Sequence, residues 1–341
     1  MMNIISVPAV CKVQASSVVN FKKGLSMDPF FHQHHHKDKV VIILGATGSG
    51  KSKLAIDLAT HFAPAEIINS DKMQVYQGLD ITTNKVTEEE CLGVPHHLLG
   101  IADPNLDFTA ADFIRHASSA VDSIIDRHCL PIIAGGSNSY IEALVPDFET
   151  GRPVDFCFLW VDVSLPVLHS FLTDRVDRMV EAGLIEEVRQ MFDSRADYTK
   201  GIRKAIGVPE LDQFLEAELS STADERTKKK LLEAAIARMK INNCRLASRQ
   251  LQKIHRLHGL WKRNMHRLDA TEALIMRNNG EESKEVWENQ VVNKSRRIVH
   301  KFLYEESHVV PAAMSSKTVL YMPPPRRPPL SRLVATVTAT H

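Results

Sequence analysis

The sequence lacks an apolar run of about 18 residues, the length a membrane helix needs, so nothing in it reads as a membrane span. Its five cysteines, Cys11, Cys91, Cys129, Cys157 and Cys244, are scattered and form no C-x-x-C pair. That argues against a disulfide framework or a structural zinc site, and they read as reduced thiols packed as small hydrophobes. Charge of one sign is also missing. Lys and Arg number 42 against 41 Asp and Glu, for a net charge of +1, so any anion-binding site must be local. Acid is absent from the first 27 residues, which hold Lys12, Lys22, Lys23 and four serines. Such a leader is like an organellar transit peptide, although it has no Arg, and it points to an organelle rather than the cytoplasm. The tract His32, His34, His35, His36 that follows reads as a linker before a metal site.

What is present is enough for a substantial core, since 44% of the 341 residues are hydrophobic. Val40–Leu44 is a short apolar run that reads as a buried strand. Helical spacing follows through Leu54, Ile56, Leu58 and Ala59. Glu66–Ile68, Pro131–Ala134 and Phe156–Val163 read as further strands, and Thr109 with Asp112 as a capping box opening a helix. Strands alternating with helices predict an α/β fold, a parallel sheet covered on both faces, with ligands at the carboxyl ends of the strands. After residue 165 the pattern turns helical, over Pro166–Phe192 with a break near Gly183, and over Thr227–His258. The predicted layout is a leader over 1–37, an α/β core over 38–165, a mainly helical part over 166–304 that completes the acceptor site, and a Pro-rich tail over 305–341. The run Pro323–Pro329 favours extended polyproline II. The segment 146–155 reads as a loop.

The run Gly45, Ala46, Thr47, Gly48, Ser49, Gly50, Lys51, Ser52 matches G-x-x-x-x-G-K-[ST] in full, between a predicted strand and a predicted helix. Glycines let backbone N–H groups converge on an anion, and the helix N-terminus adds its positive end. Lys51 supplies a mobile cation, and the Ser52 hydroxyl can hold Mg²⁺. The cradle specifies phosphate but not the reaction. The strand ending at Ala134 carries no terminal acid of the kind that positions Mg²⁺ for hydrolysis of a nucleoside triphosphate; Asp162 ends a later strand and could serve instead.

Asp71 follows the second strand and is predicted at the same sheet edge as the cradle. A carboxylate beside bound phosphate meets like-charge repulsion, which suggests chemistry: accepting a proton, or holding Mg²⁺ through water. A turn or N-cap role is open at this point as well.

The stretch from Val40 to about residue 258 resembles the isopentenyltransferase family, in particular its plant adenylate branch that makes cytokinins. The resemblance is carried by residues 45–52, 66–85, 93–100, 108–113, 131–145, 158–188 and 201–212. It implies transfer of the dimethylallyl group from dimethylallyl diphosphate to N6 of an adenine nucleotide (AMP, ADP or ATP) with Mg²⁺ as cofactor. It also implies that the P-loop holds the donor's diphosphate, that Asp71 is the general base, that Thr47 lies near the reacting centre and that Arg175 grips the diphosphate. The alternatives are a tRNA dimethylallyltransferase and a P-loop kinase or NTPase.

The tRNA branch carries a helical domain inserted after the Gly-Gly strand, whereas about twenty residues separate Tyr140 from Asp162 here, too few for a folded domain. No Cys lies beyond Cys244 for a zinc finger. A free nucleotide is therefore the expected acceptor, without tRNA or membrane, on a monomer. Arg238, Asn242, Arg245, Arg249 and Arg256 share one helix face, opposite Ile236, Met239 and Leu246; spacing alone reads this as a solvated surface. The resemblance favours Arg245 and Arg249 as acceptor contacts. Gly136 and Ser137 are expected to shape the pocket floor, and His96 and His97 to make structural hydrogen bonds.

Overall fold

The computed structural model describes residues 37–150, 153–220 and 223–305. The leader with its His tract, Cys11 and the Pro-rich tail lie outside the described residues.

Six strands form one parallel sheet. The order along the chain is β1 (Asp38–Gly45), α1 (Lys51–His61), β2 (Ala65–Asn69), α2 (Glu88–Cys91), β3 (His96–His97), α3 (Ala110–Asp126), β4 (Leu130–Ala134), α4 (Asn138–Thr150) and β5 (Val154–Asp162). It continues through α5 (Leu165–Glu181), α6 (Leu184–Gln190), α7 (Val208–Leu219), α8 (Glu225–Leu260), β6 (Met265–Asp269), α9 (Thr271–Ile275), α10 (Glu281–Trp287) and α11 (Asn293–Tyr304). Across the sheet the strands run β3-β2-β4-β1-β5-β6. The central strand β1 pairs with β4 on one side and β5 on the other.

Alternation along β1 sorts its side chains between two cores. Val41 and Ile43 pack with Leu54, Leu58 and the late residues Val291 and Val299. Val40, Ile42 and Leu44 pack with Phe113, Val121, Tyr140 and, from the end of α8, Ile254 and Leu257. A third core joins α5, α6, α7 and the first half of α8 through Val176, Leu184, Leu211, Phe214 and Met239. At 1.5 Å per residue the 36 residues of α8 extend about 54 Å, from the third core to the sheet.

The Thr109–Asp112 capping box is present, with both reciprocal hydrogen bonds. Three features differ from the sequence expectation. The segment 146–155 is not a loop: α4 continues through Pro146 to Thr150 and β5 begins at Val154. Val145 and Phe148 are drawn into the core beside α3, so burial on both sides of Pro146 carries the helix across it. Two strands escaped the reading. β3 is two histidines at one sheet edge, and β6, Met-His-Arg-Leu-Asp, is a polar edge strand returned by the otherwise helical part to pair with β5. Edge strands carry charge to discourage further pairing, which hides them from hydrophobic pattern. Among the cysteines, Cys157 is buried and its thiol is pushed up to about 12 by that burial; Cys91, Cys129 and Cys244 are half-buried and free.

Candidate active site

The carboxyl ends of β1, β2 and β4 bring the P-loop, Asp71 and the Gly135–Gly136 turn to one sheet edge. Between that edge and α5 and α8 lies a cavity of about 940 Å³. Thr47, Gly48, Gly50, Lys51, Ser52, Asp71, Ser137 and Arg175 all line it.

The P-loop forms as its glycines dictate. Gly48 and Gly50 take φ values of +80° and +95°, in the left-handed region where a side chain is strained. Gly50 caps α1, so the helix N-terminus opens onto the cavity. The backbone does not present all eight residues equally. Gly45 and Ala46 sit behind the lining, and the buried Lys51 ammonium donates to the Ala46 carbonyl at 2.8 Å. Burial pulls Lys51 down to about 8; nearby Asp71 opposes the shift and Arg175 reinforces it. Ser49 is buried beneath the loop, its hydroxyl without a hydrogen-bond partner among the described residues.

Asp71 does two things at once. Its Oδ1 accepts from the backbone N–H of Met73 at 2.8 Å and of Gln74 at 3.3 Å, which is the turn-capping role. Its Oδ2 is turned to Gly136, where an added Cβ would stand only 3.0 Å away. Glycine at 136 thus leaves the second oxygen room beside the cavity. Ser137 anchors that turn through its N–H to the Ser70 carbonyl at 3.1 Å.

Arg175 reaches across from α5. Its Nη2 donates to the Thr47 hydroxyl at 3.2 Å and to Asn243 Oδ1 at 3.1 Å. Burial lowers it to about 10, with Arg178 adding to the shift and Asp71 opposing it. A half-buried guanidinium held at the P-loop and facing the cavity is arranged for a multiply charged anion.

Asn243 and Gln250 were not singled out by sequence. Both belong to the buried stripe of α8. Gln250 Oε1 accepts from the Thr47 N–H at 2.8 Å, and its Nε2 donates to the Gly136 carbonyl at 2.9 Å. One side chain therefore ties the phosphate cradle to the turn that backs Asp71. The available signal was two amides at helical spacing with the apolar Met239, Ala247 and Ile254. Leu246, expected on the apolar side, is instead 36% exposed and lines the cavity, because the buried stripe runs through Asn243, Ala247 and Gln250.

The predicted basic face of α8 divides. Arg238 and Asn242 hold Glu210 of α7, and Arg256 pairs with Glu142 of α4. Arg245 lines a separate shallow groove with His169 and Thr173, away from the cavity, whereas Arg249 reaches both. Three lysines that went unremarked, Lys72, Lys204 and Lys253, line the cavity. Burial lowers the Lys72 ammonium, and the charges of Lys253 and Lys204 add to the effect. Asp162, weighed as an acid for Mg²⁺, is committed elsewhere: its Oδ2 accepts from Arg267 Nε at 2.7 Å. His97 bonds Glu66 at 2.6 Å and His96 the Val94 carbonyl at 2.8 Å, as structural residues.

Among the described residues no cluster of three or more His, Cys, Asp or Glu could cage a metal. The donor set suits a Mg²⁺ that keeps waters and relies on substrate phosphates, with the Ser52 hydroxyl at the mouth of α1 and Asp71 within the same cavity.

The chain as a whole has known relatives. The chain is 60% identical to adenylate isopentenyltransferase 5, chloroplastic, of Arabidopsis thaliana, over 85% of this chain and 87% of that one. It is 55% identical to adenylate isopentenyltransferase 7, mitochondrial, of the same plant, over 85% and 88%. A solved eukaryotic dimethylallyltransferase acting on tRNA superposes with a TM-score of 0.64 at 25% identity, covering 78% of this chain and 79% of that one. The family model described as IPP transferase matches residues 74–153 and 147–256, which include the Gly135–Gly136 turn, Arg175, Asn243 and Gln250. On that family match, which spans more than half of the chain, and on these identities, the chain belongs to the IPP transferase family.

Proposed function

We propose that the protein is an adenylate dimethylallyltransferase: it transfers the dimethylallyl group from dimethylallyl diphosphate to N6 of an adenine nucleotide, the first step of cytokinin biosynthesis. One observation carries the reading. A single cavity is lined by a phosphate cradle with two cations, the buried Lys51 and the half-buried Arg175, and by a carboxylate, Asp71, with one oxygen uncommitted to its turn. A diphosphate leaving group and an attacking amine need these two things side by side.

In this mechanism the cradle's N–H groups, Lys51 and Arg175 bind the donor diphosphate and meet the charge that grows on its bridging oxygen as the allylic C–O bond breaks. The exocyclic amine of adenine is a weak nucleophile because its lone pair is delocalised. Asp71 accepts a hydrogen bond from it and then its proton through Oδ2, while Oδ1 stays fixed on the turn. Ser52 would hold Mg²⁺, which when bound supplies further charge stabilisation at the diphosphate.

The acceptor's phosphates fit the cationic wall of Lys72, Lys204, Arg249 and Lys253. Like charges close enough to depress one another are relieved by a polyanion. This wall and the short β4–β5 connection favour a free nucleotide over tRNA as the acceptor. Relatives named chloroplastic and mitochondrial support an organelle, and the acid-poor leader favours the plastid. A kinase or NTPase is disfavoured by Asp162, which is spent on Arg267.

The test is to incubate purified protein, Mg²⁺ and dimethylallyl diphosphate with AMP, ADP, ATP or tRNA and to weigh the products. A nucleotide heavier by one prenyl group is expected. Product on tRNA alone, or phosphate release from ATP without the prenyl donor, would refute the assignment.

A further inference from the structure

Each left-handed glycine of the P-loop is covered by an aromatic ring. A Cβ at Gly48 would stand 2.9 Å from Leu172 and 3.1 Å from Phe171; one at Gly50 would stand 2.6 Å from the indole of Trp287. Phe171 belongs to α5, which already serves the site through Arg175. Trp287 has a different origin. It ends α10, beyond the residues 74–256 that the family model spans, and a π-helical turn over Glu288–Val292 follows it directly.

Trp287 is 8% exposed, packed in the core that holds Leu54 and Leu58, and its indole meets α1 and the glycine that caps it. The outer edge of its six-membered ring, Cη2 and Cζ3, bears on Gly50. Its Nε1 donates to Asp57 Oδ2 at 2.8 Å. On the ring sits the Lys53 ammonium, 4.7 Å from a centroid, itself 3.1 Å from Asp57 Oδ2. Lys53 lines the cavity. A π turn inserts a residue into the helical register and is often found beside functional sites. Here Val291 and Val292 of that turn are buried in the core that holds Leu54 and Leu58, which fixes the indole against α1. The indole thus links the glycine that caps α1 to a lysine that lines the cavity.

We propose that Trp287 is a positioning residue for the donor's diphosphate: by bearing on Gly50 and holding Lys53 at the rim, it sets the geometry of the cradle from outside the family's matched region. The inference rests on the reading of the P-loop as a diphosphate site. Without the indole, Gly50 is free to relax outward and Lys53 loses its seat, so the converging N–H groups lose alignment. Donor binding suffers, and the acceptor wall across the cavity does not.

The experiment uses the full chain and its Trp287→Leu and Trp287→Phe variants. Calorimetry with Mg²⁺ and inorganic diphosphate reads the cradle directly, and steady-state kinetics give KM for each substrate. Trp287→Leu is expected to bind inorganic diphosphate about tenfold or more weakly, since small misplacements of a binding group are costly. The donor KM should rise in step and the acceptor KM stay at the wild-type value. Trp287→Phe keeps a ring but loses the Asp57 bond, and should fall between the two. A lower melting temperature with unchanged diphosphate affinity and donor KM would mean a purely structural ring and overturn the proposal. If Trp287→Leu does not fold, wild-type diphosphate affinity in Trp287→Phe overturns it instead. A wild type that binds diphosphate but transfers no prenyl group would sink the functional reading while leaving this comparison intact; one that binds no diphosphate would sink both.

Discussion

Thr47 and Gln250 are joined by a 2.8 Å hydrogen bond in which the P-loop amide donates to a side chain of the long helix. The same side chain donates to Gly136, so it bridges the two loops that any donor and any proton acceptor must share. Gln250→Ala leaves the buried Gly136 carbonyl unpaired, which costs about 1–3 kcal/mol, and frees the half-buried Thr47 N–H at the cavity. The variant should melt earlier and show a raised donor KM and a lowered kcat. Melting curves and steady-state kinetics check this; wild-type kinetics in a destabilised variant would reduce Gln250 to a packing residue.

Asp71→Asn separates the two oxygens of Asp71. The amide oxygen can still cap Met73 and Gln74, whereas the negative charge beside Gly136 is gone. Turnover should fall by about 10²–10⁴-fold with donor affinity and melting temperature preserved. Asp71→Ala should add a stability loss of about 1 kcal/mol from the missing cap. Strong residual turnover in purified Asp71→Asn protein would end the general-base role.

Lys51→Ala and Arg175→Lys probe the donor's charge. Lys51→Ala should weaken donor binding and slow the reaction together, since the ammonium serves both. Arg175→Lys keeps a charge but cannot span Thr47 and Asn243 with one planar group. It should raise the donor KM on the order of tenfold, the change that about 1.4 kcal/mol produces. Donor titrations at fixed acceptor check both.

How much of this was legible in the sequence depended on how local the signal was. The P-loop and Asp71 declare themselves because their chemistry is written in adjacent residues: glycines where φ must be positive, an acid directly after a buried strand. β1, β2, β4 and β5 are apolar runs, and apolar runs are read easily. Asn243 and Gln250 were missed because an amide on a helix looks solvated until the partner loop is known, and their partners lie at Arg175, Thr47 and Gly136. Arg245 was overvalued for the opposite reason. It shares a face with Arg249 and Arg256 on paper, but those two line the cavity and Arg245 lines the groove beside it. Leu246 and β6 follow the same rule: tertiary context decided both.

Glu66 supplies a pH test remote from the chemistry. Burial pushes its carboxyl up, but hydrogen bonds from His97 and Arg127 outweigh that and leave it below the ordinary Glu range. A carboxyl depressed on folding stabilises the protein above its unfolded value of about 4.3 and loses that contribution as pH falls through the folded value. The wild type should therefore be more stable than Glu66→Gln at neutral pH, and the two should converge in acid below the folded value. Denaturant titrations across pH 3 to 7, as approximate limits set by that range, would show it; a constant gap would mean the carboxylate's charge contributes nothing.

The length of α8 has a mechanical corollary. Its first half is embedded in the outer helical core and its last turns in the sheet, and between them Asn243 and Gln250 both bear on Thr47, one through Arg175 and one directly. A stiff rod clamped at both ends has no independent hinge for either substrate. Any displacement of the outer helices is carried by this one beam to the P-loop, through Asn243 with Arg175 and through Gln250.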